Sequence, residues 1–226
     1  GIGKAIAKQL TEDGFYVVGT ATSDSGAAAI SDYLSEAGTG MKLNVTDADS
    51  IQSVIKEITS SVGAPTVLVN NAGITRDNLM LRMKDEEWDD IISTNLSSIF
   101  RVSKACLRGM MKNKKGRIVS IASVVGVMGN SGQANYSAAK AGVSAMTVLW
   151  AQELAQYGIR VEGIAPGFTA TEMVVSLRDD IKEKFTNSIP LRRFAETSEI
   201  SDGALFILKN EYYTGRMLEI DGGARI

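Results

Sequence analysis

The chain has 226 residues, a formal net charge of −2, and 44% apolar and 22% charged residues, a composition typical of one soluble globular domain with a sizeable core. This weak net charge gives no electrostatic reason to expect nucleic acid or an anionic membrane surface as a partner, and no apolar run approaches the ~20 residues that span a bilayer. The single cysteine, Cys106, cannot form an intrachain disulfide. A cytoplasmic protein is therefore expected.

Short apolar runs alternate with helical patterns through the first half of the chain. An amphipathic helix is already under way at Gly1, and Asp47 is placed to cap a helix with apolar residues over 51–58, because its carboxylate accepts the free N–H groups of a helix start. Strands are predicted at 15–21, 41–45 and 66–69, and a further helix at 27–36. The third of these strands runs into Asn-Asn-Ala-Gly at 70–73, a polar turn that ends in glycine.

The alternation continues in the second half. Helices are predicted from about 88 to 111, from about 134 to 157 and at 200–208, and strands at 117–121, 160–165 and 217–220. A glycine-rich connection occupies 124–131, and residues 168–196 are predicted to be irregular with one short helix. Repeated strand–helix units predict an α/β fold with a parallel sheet. Because no repeat or linker interrupts residues 1–226, we expect a single-domain doubly wound (Rossmann) sheet flanked by helices on both faces.

Small and amide residues occur where the predicted strands end. They lie at 20–23, Asn44, 70–73, Ser123 and 166–167. In an open α/β sheet, ligands bind in the crevice outside the carboxyl ends of the strands. The preference of turns for Gly, Asn and Ser explains each of these positions alone. It explains all five together much less well, so a cofactor is expected along this edge.

A tyrosine and a lysine stand one helical turn apart in the second long predicted helix. Tyr136 and Lys140 are four positions apart, Ser123 lies thirteen residues before Tyr136, and the chain has no histidine. Acid–base chemistry must therefore use Tyr, Lys, Asp, Glu or water. Alone, a Tyr and a Lys at this spacing are most often neighbours on a solvated helix face. The nearby hydroxyl and the polar strand ends favour a proton-delivery site instead.

Asn95, in Ser-Thr-Asn-Leu, adds a further motif to the four already described. In order and spacing these motifs resemble those of the short-chain dehydrogenase/reductase family, and the resemblance covers the whole chain. Segments at 19–23, 71–79, 83–88 and 129–136 are similar, more closely, to the β-ketoacyl-[acyl carrier protein] reductases of type II fatty acid synthesis. The resemblance implies that Gly1 and Gly3 end a glycine-rich phosphate loop, and that a central strand of the sheet precedes residue 1.

The resemblance implies a role for each member of a catalytic set. Tyr136 would be the general acid, and Lys140 would lower the pKa of Tyr136 and hold the nicotinamide ribose. Ser123 would donate to the carbonyl oxygen of the substrate, and Asn95 would hold a water that connects the lysine to solvent. Taken alone, Asn95 is more simply a helix-interior amide bonded to backbone, and Ser123 a cap of the following segment.

The implied cofactor is NADPH/NADP+. NAD enzymes of this fold place an Asp or Glu after the second strand for the ribose 2′-hydroxyl, whereas no acid occurs here before Asp24. A carboxylate would repel a 2′-phosphate, so its absence favours NADPH. No metal ligand is implied. The implied cofactor-binding residues are Gly1, Ile2, Gly3, Thr22, Asn44, Val45, Asn71, Ala72, Gly73, Tyr136, Lys140, Pro166, Gly167 and Thr169.

The resemblance also implies a substrate and partners. A 3-oxoacyl thioester on acyl carrier protein would be reduced to the 3-hydroxyacyl thioester in fatty acid synthesis, and the protein would be a homotetramer built partly on the two long helices. A basic segment would be either a docking patch for the acidic carrier protein beside the active site or a solvated loop. Its basic residues are Lys112, Lys114, Lys115 and Arg117.

The closer resemblance weakens after about Ser144. Glu162 stands where the family usually has Asn, and 191–213 is less typical of the acyl-carrier reductases. These departures leave open a related reductase of 3-oxoacyl-CoA or of another small ketone. A non-catalytic cofactor-binding subunit is a third alternative, and the intact catalytic set argues against it.

Overall fold

The chain folds as alternating strands and helices, and the computed structural model describes residues 1–175 and 178–224. The strands are β1 (Val17–Ala21), β2 (Gly38–Lys42), β3 (Val67–Asn70), β4 (Gly116–Ile121), β5 (Ile159–Pro166) and β6 (Met217–Ile220). The helices are α1 (Ile2–Glu12), α2 (Asp24–Leu34), α3 (Ala48–Ser61), α4 (Asp85–Ile92), α5 (Ser98–Asn113), α6 (Val125–Met128), α7 (Ala134–Leu154), α8 (Glu172–Val175), α9 (Asp179–Ser188) and α10 (Thr197–Lys209). The expected α/β fold is confirmed.

The strand pairs are all parallel and form two groups. β1 pairs with β2, and the other four strands run in the order β3–β4–β5–β6. A cleft of about 800 Å³ is lined by residues of β1 and β3, among them Val17, Val67 and Val69.

Helices cover both faces of the four-stranded group, because successive residues of β4 point to opposite faces. Val119 packs with Ile6 of α1 and Ile207 of α10. Its neighbour Ile118 packs on the other face with Met110 of α5. The buried sheet therefore carries a helical layer on each side, as predicted. Within the described ranges, no helix combines the length and the apolar character that crossing a membrane requires.

The helix predicted from 88 to 111 contains one wider turn. α4 and α5 are joined by a π-helical turn at Ser93–Ser97, and Asn95 at its centre is fully buried. Such turns recur at functional sites, because the additional residue redirects the side chains and carbonyl groups around it. The apolar pattern predicts the helix but carries no signal for this turn.

The second strand lies three residues earlier than the 41–45 predicted for it. Gly38 and Gly40 allow β2 to approach its neighbours closely, and a Cβ on Gly40 would collide with the carbonyl oxygen of Ala27 in α2. The prediction is wrong because it searches for apolar side chains, whereas close backbone packing selects glycine here.

The region 168–196 contains two helices, α8 and α9, rather than the one short helix predicted. α9 has Asp179 and Asp180 in its first turn, where the helix dipole favours carboxylates. These two acidic residues indicate a helix start in the sequence, but the weak apolar pattern that follows them does not predict a helix. Positions 176–177 of the same region lie outside the described residues.

Candidate active site

The carboxyl ends of neighbouring strands bring together the segments predicted to form the site. Segment 71–73 follows β3, Ser123 follows β4 and Gly167 follows β5. The backbone N–H of Val124 donates to the carbonyl of Pro166 at 3.1 Å, which ties the loop after β4 to the end of β5. These polar segments therefore share one edge of the sheet.

Lys140 is buried beneath the end of β4. It is 4% exposed, its Nζ donates to the carbonyl of Ile121 at 2.7 Å, and Nζ lies 5.5 Å from the centre of the Tyr136 ring. Burial lowers the pKa of Lys140 from 10.5 to about 8, because the charged form loses hydration. An ammonium has three donors, so two remain available for a ligand.

Tyr136 lies one turn before Lys140 on α7. Burial raises its pKa above the ordinary 10.0, hydrogen bonding with the Ser123 side chain lowers it, and the carboxylate of Asp77 raises it. Desolvation is the largest of these effects, and the lowering of the Tyr136 pKa by Lys140 that the resemblance implies remains a prediction. The phenol is therefore protonated at neutral pH, which is the state that a proton donor needs.

Ser123 makes the capping contact that the sequence gives as one alternative, and its role as a donor to the substrate remains a prediction. Its Oγ accepts a hydrogen bond from the backbone N–H of Val125 at 3.2 Å, so it caps the start of α6. A hydroxyl also carries one O–H donor, and the effect of Ser123 on the pKa of Tyr136 places the two side chains together. Ser123 can therefore cap α6 and still donate to a ligand.

Asn95 holds the backbone of a single residue. Its Oδ1 accepts from the N–H of Ile74 at 2.9 Å, and its Nδ2 donates to the carbonyl of Ile74 at 2.8 Å. This is the backbone-bonded amide that the sequence gives as the simpler alternative. A primary amide has two donors and two acceptor positions, so one of each is left for a water.

The start of α1 packs against the turn after β3. α1 begins at Ile2, and its N-cap is Gly1. Because glycine has no side chain, Gly1 does not compete with an anion for the first N–H groups of the helix. A Cβ on Gly3 would lie 2.6 Å from Nδ2 of Asn71, and glycine is needed for this approach. Gly3 and Asn71 are in contact here. Their chain neighbours in the predicted cofactor set are Gly1, Ile2, Ala72 and Gly73.

The other predicted cofactor residues also lie at or just after strand ends. Thr22 is exposed after β1, whereas Thr169 is buried. The hydroxyl of Thr169 donates to the carbonyl of Gly167 at 3.2 Å, so this side chain shapes the loop after β5. The remaining members of the set are Asn44, Val45, Pro166 and Gly167.

Known proteins match the chain over nearly its whole length. The family model described as Enoyl-(Acyl carrier protein) reductase matches residues 1–225. The chain is 53% identical over 225 residues to the 3-oxoacyl-[acyl-carrier-protein] reductase FabG of Vibrio harveyi and to that of Escherichia coli (strain K12), which covers 99% of this chain and 92% of each relative. It is 45% identical over 228 residues to the protein of the same name from Pseudomonas aeruginosa, with 99% and 92% covered. The chain belongs to the short-chain dehydrogenase/reductase family.

As a member of the short-chain dehydrogenase/reductase family, the protein is an oxidoreductase that uses a nicotinamide cofactor. The residues at the strand ends fit such a dinucleotide. The open start of α1 suits a pyrophosphate, and the two unused donors of Lys140 suit ribose hydroxyls.

The basic segment 112–117 lies away from this site. It joins the end of α5 to Gly116, the first residue of β4, whereas Ser123 follows the opposite end of that strand. A strand of six residues spans roughly 20 Å. A docking patch beside the active site of its own chain is therefore wrong, and the solvated-loop alternative describes the segment better.

Two buried asparagines, one inside the 70–73 motif and one directly before Tyr136, have structural contacts that the sequence does not reveal. Asn70 donates from Nδ2 to the hydroxyls of Ser103 and Ser120, both at 3.2 Å, and so ties the end of β3 to α5 and β4. Asn135, directly before Tyr136, is fully buried. In the sequence, only their position in or beside the motifs indicates that these asparagines matter. Their structural roles become visible only in the hydrogen bonds of the folded protein.

Proposed function

We propose that the protein reduces 3-oxoacyl thioesters on acyl carrier protein to 3-hydroxyacyl thioesters, with NADPH as the reductant, in the fatty acid synthesis of the cytoplasm. The observation that carries this proposal is the meeting of Ser123, Tyr136 and the buried Lys140 at the strand ends. Relatives at 53% identity are named for that substrate. When bound, the cofactor supplies a hydride to the ketone carbon.

Tyr136 donates the proton in this scheme. Hydride addition at the carbon leaves negative charge on the ketone oxygen, which must be protonated to give the alcohol. Burial keeps the phenol neutral by raising its pKa, so the proton is available at neutral pH. The O–H of Ser123 donates to the same oxygen and stabilises the charge that develops there.

Lys140 stabilises the phenolate that Tyr136 becomes. With a pKa of about 8, the lysine is mostly charged at neutral pH, and its Nζ lies 5.5 Å from the phenol ring centre. The proton returns to Tyr136 from solvent through a water at Asn95, whose amide keeps one donor and one acceptor position free of Ile74.

The end of β1 supports the choice of NADPH. Ser23 caps α2, since its Oγ accepts from the N–H of Gly26 at 3.0 Å. The first acid, Asp24, forms an ion pair with Lys42 at 2.8 Å. The carboxylate nearest to the expected 2′-phosphate is therefore paired with a cation, which reduces its repulsion of a second negative group.

The same proposal includes a homotetramer built partly on α5 and α7. The rings of Phe100 in α5 and Trp150 in α7 lie 6.5 Å apart between centres, and Phe100, Val148 and Leu149 are exposed. Exposed apolar side chains on two helices that touch favour contact with another copy. Light scattering of the purified protein tests this assembly, and Phe100→Glu is expected to give smaller species. A monomeric wild-type protein would contradict it.

The oxidation of the reduced cofactor tests the reaction. Acetoacetyl-[acyl carrier protein] and acetoacetyl-CoA are offered in parallel, each with NADPH and with NADH. A strong preference for the carrier-bound substrate with NADPH supports the proposal. Equal or better use of the CoA ester would assign a related reductase of CoA thioesters, and cofactor binding without turnover of any ketone would leave the non-catalytic subunit.

Tyr136→Phe tests the proton donor, because it removes the hydroxyl and keeps the ring. Turnover is expected to fall by about a hundredfold or more, whereas the Kd for NADPH, measured by intrinsic fluorescence, is expected to equal that of the wild type. Wild-type turnover by this variant would mean that another group supplies the proton.

A further inference from the structure

Asn135 connects three segments of the chain at a fully buried point. It is the second residue of α7 and directly precedes Tyr136. Its Nδ2 donates to the carbonyls of Arg76 and Glu87, both at 3.0 Å, and its Oδ1 accepts from the N–H of Tyr136 at 2.7 Å. Both donors of the amide are therefore used inside the protein.

The carbonyl of Arg76 belongs to a short segment that is held from two sides. Asn95 binds the N–H and the carbonyl of Ile74, and Asn135 binds the carbonyl of Arg76. Two buried amides from different helices thus fix segment 74–76, which directly follows the predicted cofactor turn at 71–73. A buried amide that loses its partners costs free energy, so the three segments hold one another in place.

A second side-chain contact between this loop and the residue before α7 is more open to water. Gln133 donates from Nε2 to the carboxylate of Asp77 at 3.0 Å and 3.1 Å, and these side chains are exposed. Solvent competes for such hydrogen bonds and reduces their net contribution. Asn135, by contrast, is a fully buried link between the two elements.

We propose that Asn135 is a positioning residue for Tyr136, one that fixes the first turn of α7 against segment 74–76 and α4, and so sets the place of the phenol relative to Ser123 and the ketone. The inference rests on the proposed role of Tyr136 as proton donor. Asn135 has no donor left for a substrate and acts through its neighbour. Displacement of a catalytic group by about 1 Å lowers a rate by up to about a hundredfold.

Asn135→Ala is compared with a matched variant on the same helix. Thr147 is also buried, and its hydroxyl donates to the carbonyl of Val143 at 2.9 Å, so Thr147→Val removes a buried hydrogen bond remote from the site. Asn135→Ala is expected to lower kcat about tenfold to a hundredfold with an unchanged Kd for NADPH. Thr147→Val is expected to lower the melting temperature while keeping the wild-type kcat.

Asn135→Asp adds a pH-dependent test. The ionised carboxylate that this substitution introduces would face two carbonyl oxygens without a donor, whereas the neutral acid can donate to one of them. The kcat of this variant, relative to that of the wild type, is therefore expected to rise as the pH falls from about 8 to about 6. A simple loss of packing gives no such partial rescue.

The titration of Tyr136 separates this inference from the proposed function. Phenolate absorbance in the near ultraviolet is measured as a function of pH for the wild type and for Asn135→Ala. The same titration of each protein with Tyr136→Phe added is subtracted, so that the difference reports Tyr136 alone among the six tyrosines. A shifted pKa of Tyr136 in Asn135→Ala supports the inference even if the protein reduces no 3-oxoacyl thioester. A folded Asn135→Ala with the wild-type titration, or an equal loss of kcat in Thr147→Val, overturns it.

Discussion

Gly126 lies directly against the backbone of Lys140. A Cβ on Gly126 would be 2.8 Å from the carbonyl carbon of Lys140 and 2.9 Å from the nitrogen of Ala141, closer than packed atoms approach one another. α6 thus packs on α7 at the turn that carries the lysine. The glycine-rich connection after Ser123 therefore brings the loop after β4 close to α7, and a side chain at this position would separate them.

Gly126→Ala is expected to lower kcat by about tenfold or more, because the added methyl group must push α7 or the Ser123 loop by a substantial fraction of an ångström. Steady-state kinetics with the reduced cofactor measure the effect. Gly109→Ala is the matched control, since its Cβ would meet the Cβ of Ala64 at 2.7 Å, just before β3 and at the end of that strand opposite to segment 71–73. Equal kcat values for the two variants would show that the backbone around Lys140 can move to accept the methyl group without an effect on the reaction.

Lys140→Met is expected to make the protein more stable and inactive. The pKa of Lys140 is about 8 in the folded protein and 10.5 ordinarily, so its contribution to stability is fully present above pH 10.5 and is lost as the pH falls through about 8. At pH 7 that loss is about 3 kcal/mol. Methionine fills a similar volume without the charge, and removes the unfavourable burial.

Urea unfolding at about pH 7 and about pH 10 measures this effect. At the lower pH, the free energy of unfolding of Lys140→Met is expected to exceed that of the wild type. This difference is expected to shrink at the higher pH. Lys112→Met, at an exposed lysine, should show neither the gain nor its pH dependence. If Lys140→Met is less stable than the wild type at pH 7, the prediction is wrong. The surroundings of the buried ammonium would then compensate for its lost hydration more fully than its hydrogen bond to the Ile121 carbonyl indicates.

The sequence predicts those features that depend on side-chain pattern. Asp47 caps α3 as expected, accepting hydrogen bonds from the N–H groups of Asp49 and Ser50 at 2.9 Å and 3.2 Å, and β6 has the predicted bounds 217–220. The Tyr136 and Lys140 pair is placed together because helical spacing alone determines it.

Features that depend on backbone packing and burial cannot be predicted from the side-chain pattern. The glycines of β2 mark close helix contact rather than a turn. The π-turn around Asn95 differs from a regular helix by one residue and has no compositional signal. Burial raises the pKa of Tyr136, and burial is a property of the assembled fold that no local motif contains.

Asn70→Ala is expected to destabilise the protein by about 1–3 kcal/mol, because it leaves the buried hydroxyls of Ser103 and Ser120 without their amide donor. Denaturant unfolding measures the loss. Adding Ser103→Ala and Ser120→Ala removes the unsatisfied groups, so the triple variant should lose less than the sum of the single changes. Strict additivity would show that the three side chains do not act as a network.

Glu162 and Arg160 form a buried ion pair in β5. Nη1 of Arg160 donates to Oε1 of Glu162 at 2.6 Å, and the guanidinium also binds the carbonyls of Ile207 and Leu208 near the end of α10, each at 3.2 Å. Oε2 of Glu162 has no hydrogen-bond partner among the described residues. Burial raises the pKa of Glu162 from 4.5 to about 7, against the opposing attraction of Arg160 and Arg117.

Glu162→Gln is expected to remove a pH-dependent loss of stability. Because the pKa of the acid is raised in the folded protein, its contribution to stability is fully present below pH 4.5 and is lost as the pH rises through about 7. The wild-type free energy of unfolding should therefore fall by up to about 3 kcal/mol over this interval relative to that of the variant. Unfolding at a series of pH values measures the difference, with the exposed Glu153→Gln as control. If Glu162→Gln follows the wild-type pH profile, the carboxylate stays ionised throughout because Arg160 compensates fully for its burial.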